Sequence, residues 1–103
     1  MDRKFTLSYL PLFEQDLMEV RNYIAQNLQN PIAALRLVQD TEKAILKRLE
    51  NPLAFEPYRS NHKRKNPYYR INIRNYAVFY VVKGDVMEVR RFVYGKRDLT
   101  NIV

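Results

Sequence analysis

The chain contains no cysteine, which excludes disulfide staples and thiolate nucleophiles and fits a reducing compartment. Its single histidine, His62, leaves too few ligands for a zinc site, because no tight carboxylate cluster makes up the shortfall. No Ser/His/Asp or Cys/His set can be assembled for nucleophilic catalysis. Glycine occurs only at Gly84 and Gly95, so there is no glycine-rich phosphate loop. No apolar run approaches the ~20 residues that span a bilayer. The first ten residues, Met1 to Leu10, alternate apolar with polar where a secretory signal would be continuously apolar. The expectation is a cytoplasmic protein with no membrane attachment and no cofactor.

What is present suits one globular unit. The 103 residues are 47% apolar, enough for one modest core, and residues 1–103 are read as a single domain. The net charge of +7 is unevenly placed. Residues 1–56 carry seven Lys/Arg against eight Asp/Glu, whereas residues 57–103 carry eleven against three. The second half therefore holds the whole positive surplus, which serves either an acidic or polyanionic partner or solubility alone.

Periodicity sets the order of elements. Phe5, Leu7 and Tyr9 alternate with polar neighbours up to Pro11, which marks a half-buried strand. Phe13, Leu17, Val20, Ile24 and Leu28 then fall on one helical stripe, with Glu14, Asp16 and Glu19 in the early turns. Asn30 suits an N-cap and Pro31 the first helical position. Ala34, Val38, Thr41, Ile45 and Leu49 form the stripe of a second helix, which Leu35 and Leu46 widen and Asn51-Pro52 closes. So short a link requires an antiparallel helical hairpin.

From Pro52 to Pro67 periodicity disappears, and the basic run at His62 reads as a surface loop. Tyr69, Ile71 and Ile73 then alternate with Arg70, Asn72 and Arg74, and a tight turn is placed near Asn75. Tyr76 to Val82 reads as a buried central strand, Lys83-Gly84-Asp85 as a hairpin turn, and Val86 to Tyr94 as the last strand. The fold class is α+β in the order β-α-α-β-β-β. An antiparallel helical hairpin packs on one face of a mainly antiparallel four-stranded sheet, leaving Arg70, Asn72 and Arg74 on an open basic face.

The segment Leu17 to Leu49, with Tyr23-Ile24-Ala25 and Ala33-Ala34-Leu35-Arg36-Leu37-Val38, resembles the helical hairpin of ParE-type toxins. Tyr69-Arg70, Tyr76-Ala77-Val78-Phe79-Tyr80 and the stretch from Val89 to Asp98 resemble the three-strand finish of the wider RelE/ParE superfamily. The resemblance covers nearly the entire chain and implies the toxin of a type II toxin–antitoxin pair. Such toxins are silenced by a cognate antitoxin that folds as it binds. RelE-like members are ribosome-dependent mRNA endonucleases, whereas ParE-like members poison DNA gyrase.

Metal-free RNA cleavage needs a base, an acid and cations around the phosphate. Arg70 matches the basic residue that RelE-like toxins place on the first strand of the finish, but Asn72 stands where a second should be. Ala77 replaces their central-strand arginine, a loss expected to cost roughly 10²–10³ in rate by analogy with a missing oxyanion donor. Arg91 and Tyr94 match one nuclease subgroup, whose histidine is Val93 here, and Arg97 matches another. If the chain is a nuclease, its catalytic candidates are Arg70, Arg91, Tyr94 and Arg97. Against that stand two structural alternatives: Arg91 as a paired buried arginine, and Tyr94 as a strand-end aromatic.

Ala77 and the long hairpin resemble the ParE-like branch more closely. In that reading target contact is expected of Lys96 and Arg97, which extend beyond the last packed strand, and of Arg74. Antitoxin contact falls to Leu17, Tyr23, Ile24 and Leu37. A third alternative is a non-toxic or degenerate binding module.

Overall fold

A computed structural model describes residues 4–58 and 65–95. The chain runs β1 (Thr6–Tyr9), α1 (Pro11–Asn22), a π-helical turn (Tyr23–Asn27), α2 (Pro31–Leu49), β2 (Tyr69–Ile73), β3 (Tyr76–Lys83) and β4 (Val86–Tyr94). The sheet order is β1-β4-β3-β2. β1 lies parallel to β4, and the other two pairings are antiparallel. This is the expected α+β architecture, with the helices on one face of a mixed sheet.

Local chemistry places the boundaries. Leu10 is extended, and Pro11 then opens α1, where its missing N–H costs nothing. The Asn30 side chain accepts a hydrogen bond from the Ala33 amide at 3.1 Å, capping α2. Gln29, at φ 50°, supplies the reversal between the helices. Gly84 takes φ 59° in the β3–β4 turn.

The helical stripes differ from the sequence expectation at identifiable points. Phe13, Leu17, Val20 and Ile24 do pack into the core. Leu28 does not: its amide reaches back five residues to the Tyr23 carbonyl at 3.2 Å, and the widened turn rotates it outward to 56% exposure. In α2 the buried positions are Ala34, Leu37, Thr41 and Ile45, while Leu35 and Leu46 point to solvent. Thr41 is tolerated inside because its hydroxyl donates to the Leu37 carbonyl at 2.7 Å.

Both sheet faces are apolar. Tyr69, Ile71, Ile73, Val78, Tyr80 and Phe92 join Phe13, Leu37 and Ile45 beneath the helices. On the far face Ala77, Phe79, Val81 and Val93 cluster with Tyr68 and are flanked by Tyr58. The Tyr58 amide donates to the Tyr68 carbonyl at 2.7 Å, pinning this segment across the sheet. The face expected to be open is therefore partly roofed.

Candidate functional site

Of the basic residues expected on the far face, Arg70 is found there. Its Nε donates to Asn72 Oδ1 at 2.7 Å, its Nη2 reaches the Gly95 carbonyl at 3.4 Å, and the guanidinium lies 5.7 Å from the Phe79 ring centre. Gly95 makes room for this placement, since a Cβ there would come within 2.9 Å of Arg70 Nη2 and 3.2 Å of the Asn75 carbonyl. Arg74 departs from the expected face. At φ 54° it occupies the β2–β3 turn, and its guanidinium pairs with Asp40 of α2. Alternation cannot carry past a residue in that left-handed conformation.

Arg91 is engaged from the helical side. Its Nε and Nη2 donate to the two Asp16 oxygens at 2.8 and 3.3 Å, and Asp16 also accepts the Phe92 amide at 3.1 Å. A bulge makes this possible. β4 pairs Arg91 with Phe79 but Val89 with Tyr80, so Arg90 is left over and the strand changes face. Met87 and Val89 lie under the helices while Val93 lies on the far face, so the strand does not keep a simple alternation along its length.

Tyr94 is 45% exposed and meets Tyr76 edge-on with ring centres 5.8 Å apart, while Tyr76 stacks on Phe92 at 5.1 Å. Burial, then the nearby Tyr23 and Tyr94 phenols, push the Tyr76 hydroxyl above its ordinary value of 10.0. A phenol so placed stays protonated at neutral pH and accepts no proton. Among the described residues no group of three His, Cys, Asp or Glu is positioned to hold a metal ion. No described helix is long and apolar enough to cross a membrane. Lys96, Arg97 and His62 lie outside the described residues.

The hairpin residues proposed as partner contacts separate sharply. Tyr23 is 52% exposed, Leu17 and Ile24 are half-buried, and Leu37, at 2%, is core and has no surface to offer. The apolar surface that is available lies elsewhere: Met18 and Ile32, and the stripe residues Leu28, Leu35 and Leu46, are all exposed. A stripe slightly too wide to fit one buried face was its only signal.

Arg48, legible in sequence only as a helix-terminal cation, ties the hairpin to the sheet edge. Its Nη1 donates to the Arg70 carbonyl at 3.3 Å and to the Tyr80 hydroxyl at 3.0 Å, and its guanidinium lies 3.5 Å from the Phe55 ring centre. The Tyr80 hydroxyl in turn donates a hydrogen bond to the Pro52 carbonyl at 2.8 Å. Burial raises the Tyr80 phenol above its ordinary value, and Arg48 opposes that rise.

The architecture has solved counterparts. A chain of the chromosomal ParDE toxin–antitoxin system from P. aeruginosa superposes with a TM-score of 0.69 at 18% identity, covering 89% of this chain and 97% of that one. A chain of the RelB–RelE antitoxin–toxin complex from Methanococcus jannaschii gives 0.48 at 22% identity, covering 86% and 91%. No curated protein matches in sequence. The family model for the ParE toxin of the type II toxin–antitoxin system parDE matches residues 7–99, which is nearly the whole described fold. This chain belongs to the ParE toxin family of type II toxin–antitoxin systems.

Proposed function

We propose that the chain arrests growth by acting on DNA gyrase in the cytoplasm, without cleaving RNA, until a cognate antitoxin covers it. The observation that carries this reading is Ala77. Where the nuclease branch would present an arginine to the phosphate, this chain has a methyl group at 0% exposure, clustered with Phe79 and Val93. The Asp16 grip on Arg91 supports the same reading, because a guanidinium already saturated by a carboxylate is poorly placed to receive a phosphate.

The exposed residues Leu28, Ile32, Leu35 and Leu46 suit an amphipathic antitoxin segment that orders as it binds. Arg70 and, beyond the described residues, Lys96 and Arg97 are left for target contact, whereas Arg74 would have to give up its pairing with Asp40 to join them.

Induction of the chain without its antitoxin tests the proposal. The expected result is arrest of DNA synthesis with gyrase trapped on cleaved DNA, while translation continues. In a purified assay, gyrase and supercoiled plasmid should yield linear DNA only when the chain is added. Ribosome-dependent cutting of mRNA with intact replication would overturn the reading, and harmless induction would favour a binding module.

A further inference from the structure

The two helices of the hairpin do not close on each other along their whole length. Between them lies a cleft of about 170 Å³. Tyr9, Phe13, Leu17 and Ile45 line it, and Glu14 from α1 and Glu42 from α2 contribute the carboxylates. The Tyr9 and Phe13 rings are stacked, with centres 5.4 Å apart.

In a chain with eighteen Lys/Arg and eleven Asp/Glu, Glu19 and Glu50 also hold no cation among the described residues, but Glu14 and Glu42 share one cleft. Asp16, Asp40 and Glu88 each hold an arginine. Glu14 and Glu42 make no ion pair among the described residues; both act on the Tyr9 phenol, which burial and then these two carboxylates raise above its ordinary value. A basic chain thus leaves two acids facing an aromatic-lined cleft.

We propose that this cleft receives a lysine or arginine side chain from the antitoxin, with the aliphatic stem against Tyr9 and Phe13 and the charged head between Glu14 and Glu42. The identity of the donor rests on the antitoxin reading above. The charge of the occupant follows from the cleft itself. An apolar side chain would desolvate two carboxylates without compensation, and an acidic one would add a third like charge. A cation on a flexible stem satisfies both parts of the site, because it keeps its methylene groups on apolar surface and its head at the rim.

Two probes test this. The first is an acetylated, amidated tripeptide with arginine between two leucines, followed by amide chemical shifts of the labelled full chain. Saturable shifts are expected at Tyr9, Phe13, Glu14 and Glu42, weakened by added salt and absent with the glutamate-centred tripeptide. The E14Q/E42Q double variant, confirmed folded by circular dichroism, should bind about three- to tenfold more weakly. Shifts located elsewhere, equal binding of the glutamate tripeptide, or unchanged affinity in a folded E14Q/E42Q chain would overturn the proposal.

The second probe is the product of the neighbouring small gene, measured against wild type and E14Q/E42Q. Several-fold faster dissociation from the variant is expected. Tight binding to both would refute the cleft assignment and leave the antitoxin reading intact. No binding to wild type would refute the antitoxin as donor, and the tripeptide would then decide the cleft alone.

Discussion

Asp16 holds Arg91 through two hydrogen bonds of 2.8 and 3.3 Å, and the same carboxylate closes the open edge of β4 by accepting the Phe92 amide. β1 pairs with β4 only from Val86 to Val89, and the chain turns away at Leu10, so the amide three residues further along β4 needs another acceptor. α1 supplies it. The side chains of the pair are only 21% and 12% exposed, so water compensates poorly when one partner is lost.

Asp16→Ala should therefore destabilise the fold by about 2–4 kcal/mol, since it strands both a guanidinium and a backbone donor. Urea unfolding of Asp16→Ala, Arg91→Ala and the double variant should show a coupling of about 1–3 kcal/mol. Additive losses would mean that the two groups do not depend on each other. A loss of toxicity in Arg91→Ala larger than its loss of folded protein would assign Arg91 a role in the target complex as well.

Arg48 joins α2 to β2 through the Arg70 carbonyl, and its side chain also meets Tyr80 and Phe55. β2 is an edge strand, and edge strands with free carbonyls pair with other chains. Arg48→Ala should cost about 2–3 kcal/mol and promote self-association. Denaturation with light scattering at increasing concentration measures both effects. A variant that remains stable and monodisperse would show that the edge needs no such cover.

Much of the fold was legible because its elements obey simple periods. β2 and β4 begin and end where alternation and turn chemistry place them, and Asn30-Pro31 marks the start of α2. Two of the exceptions share one cause. The π-turn at Tyr23 and the bulge at Arg90 each add one residue to a regular repeat, and neither leaves a mark in composition. Leu28 consequently leaves its stripe, and Val93 leaves the face shared by Met87 and Val89. Leu37 and Leu35 presented a different difficulty. Both are leucines near the edge of a broad apolar stripe, and only the position of the sheet decides which of them is covered. The far-face roof was illegible because Tyr58 comes from a segment with no period at all and Tyr68 lies between that segment and β2.

Alkaline pH should unfold the protein through its tyrosines. Tyr9, Tyr76 and Tyr80 all ionise above the ordinary value of 10.0, burial being the first cause in each. The folded state thus keeps protons that the unfolded chain releases near pH 10. The resulting stability is complete below that pH and is lost as pH rises through the folded values. Urea midpoints are expected to hold steady with respect to these groups near neutrality and to fall above about pH 10. Phenolate absorbance of the folded chain should show Tyr9, Tyr76 and Tyr80 titrating above the ordinary value of 10.0. A common titration near 10 with no loss of stability would contradict the burial argument.

Leu35 and Leu46, at 58% and 55% exposed, should separate binding from folding, while Leu37, at 2%, should do the reverse. Replacing either exposed leucine with glutamate removes no core contact, so stability should change by no more than about 0.5 kcal/mol. The same change places charge where an apolar antitoxin face would dock, and capture of the neighbouring gene's product should weaken at least about tenfold. Leu37→Ala instead opens a cavity against the sheet and should cost about 2–5 kcal/mol. At temperatures where it remains folded, its affinity for the same product should match wild type, because the lost methyl groups lie beneath the surface that the partner meets. Equal weakening by Leu37→Ala and Leu35→Glu, both verified as folded, would show that the partner does not read this outer face.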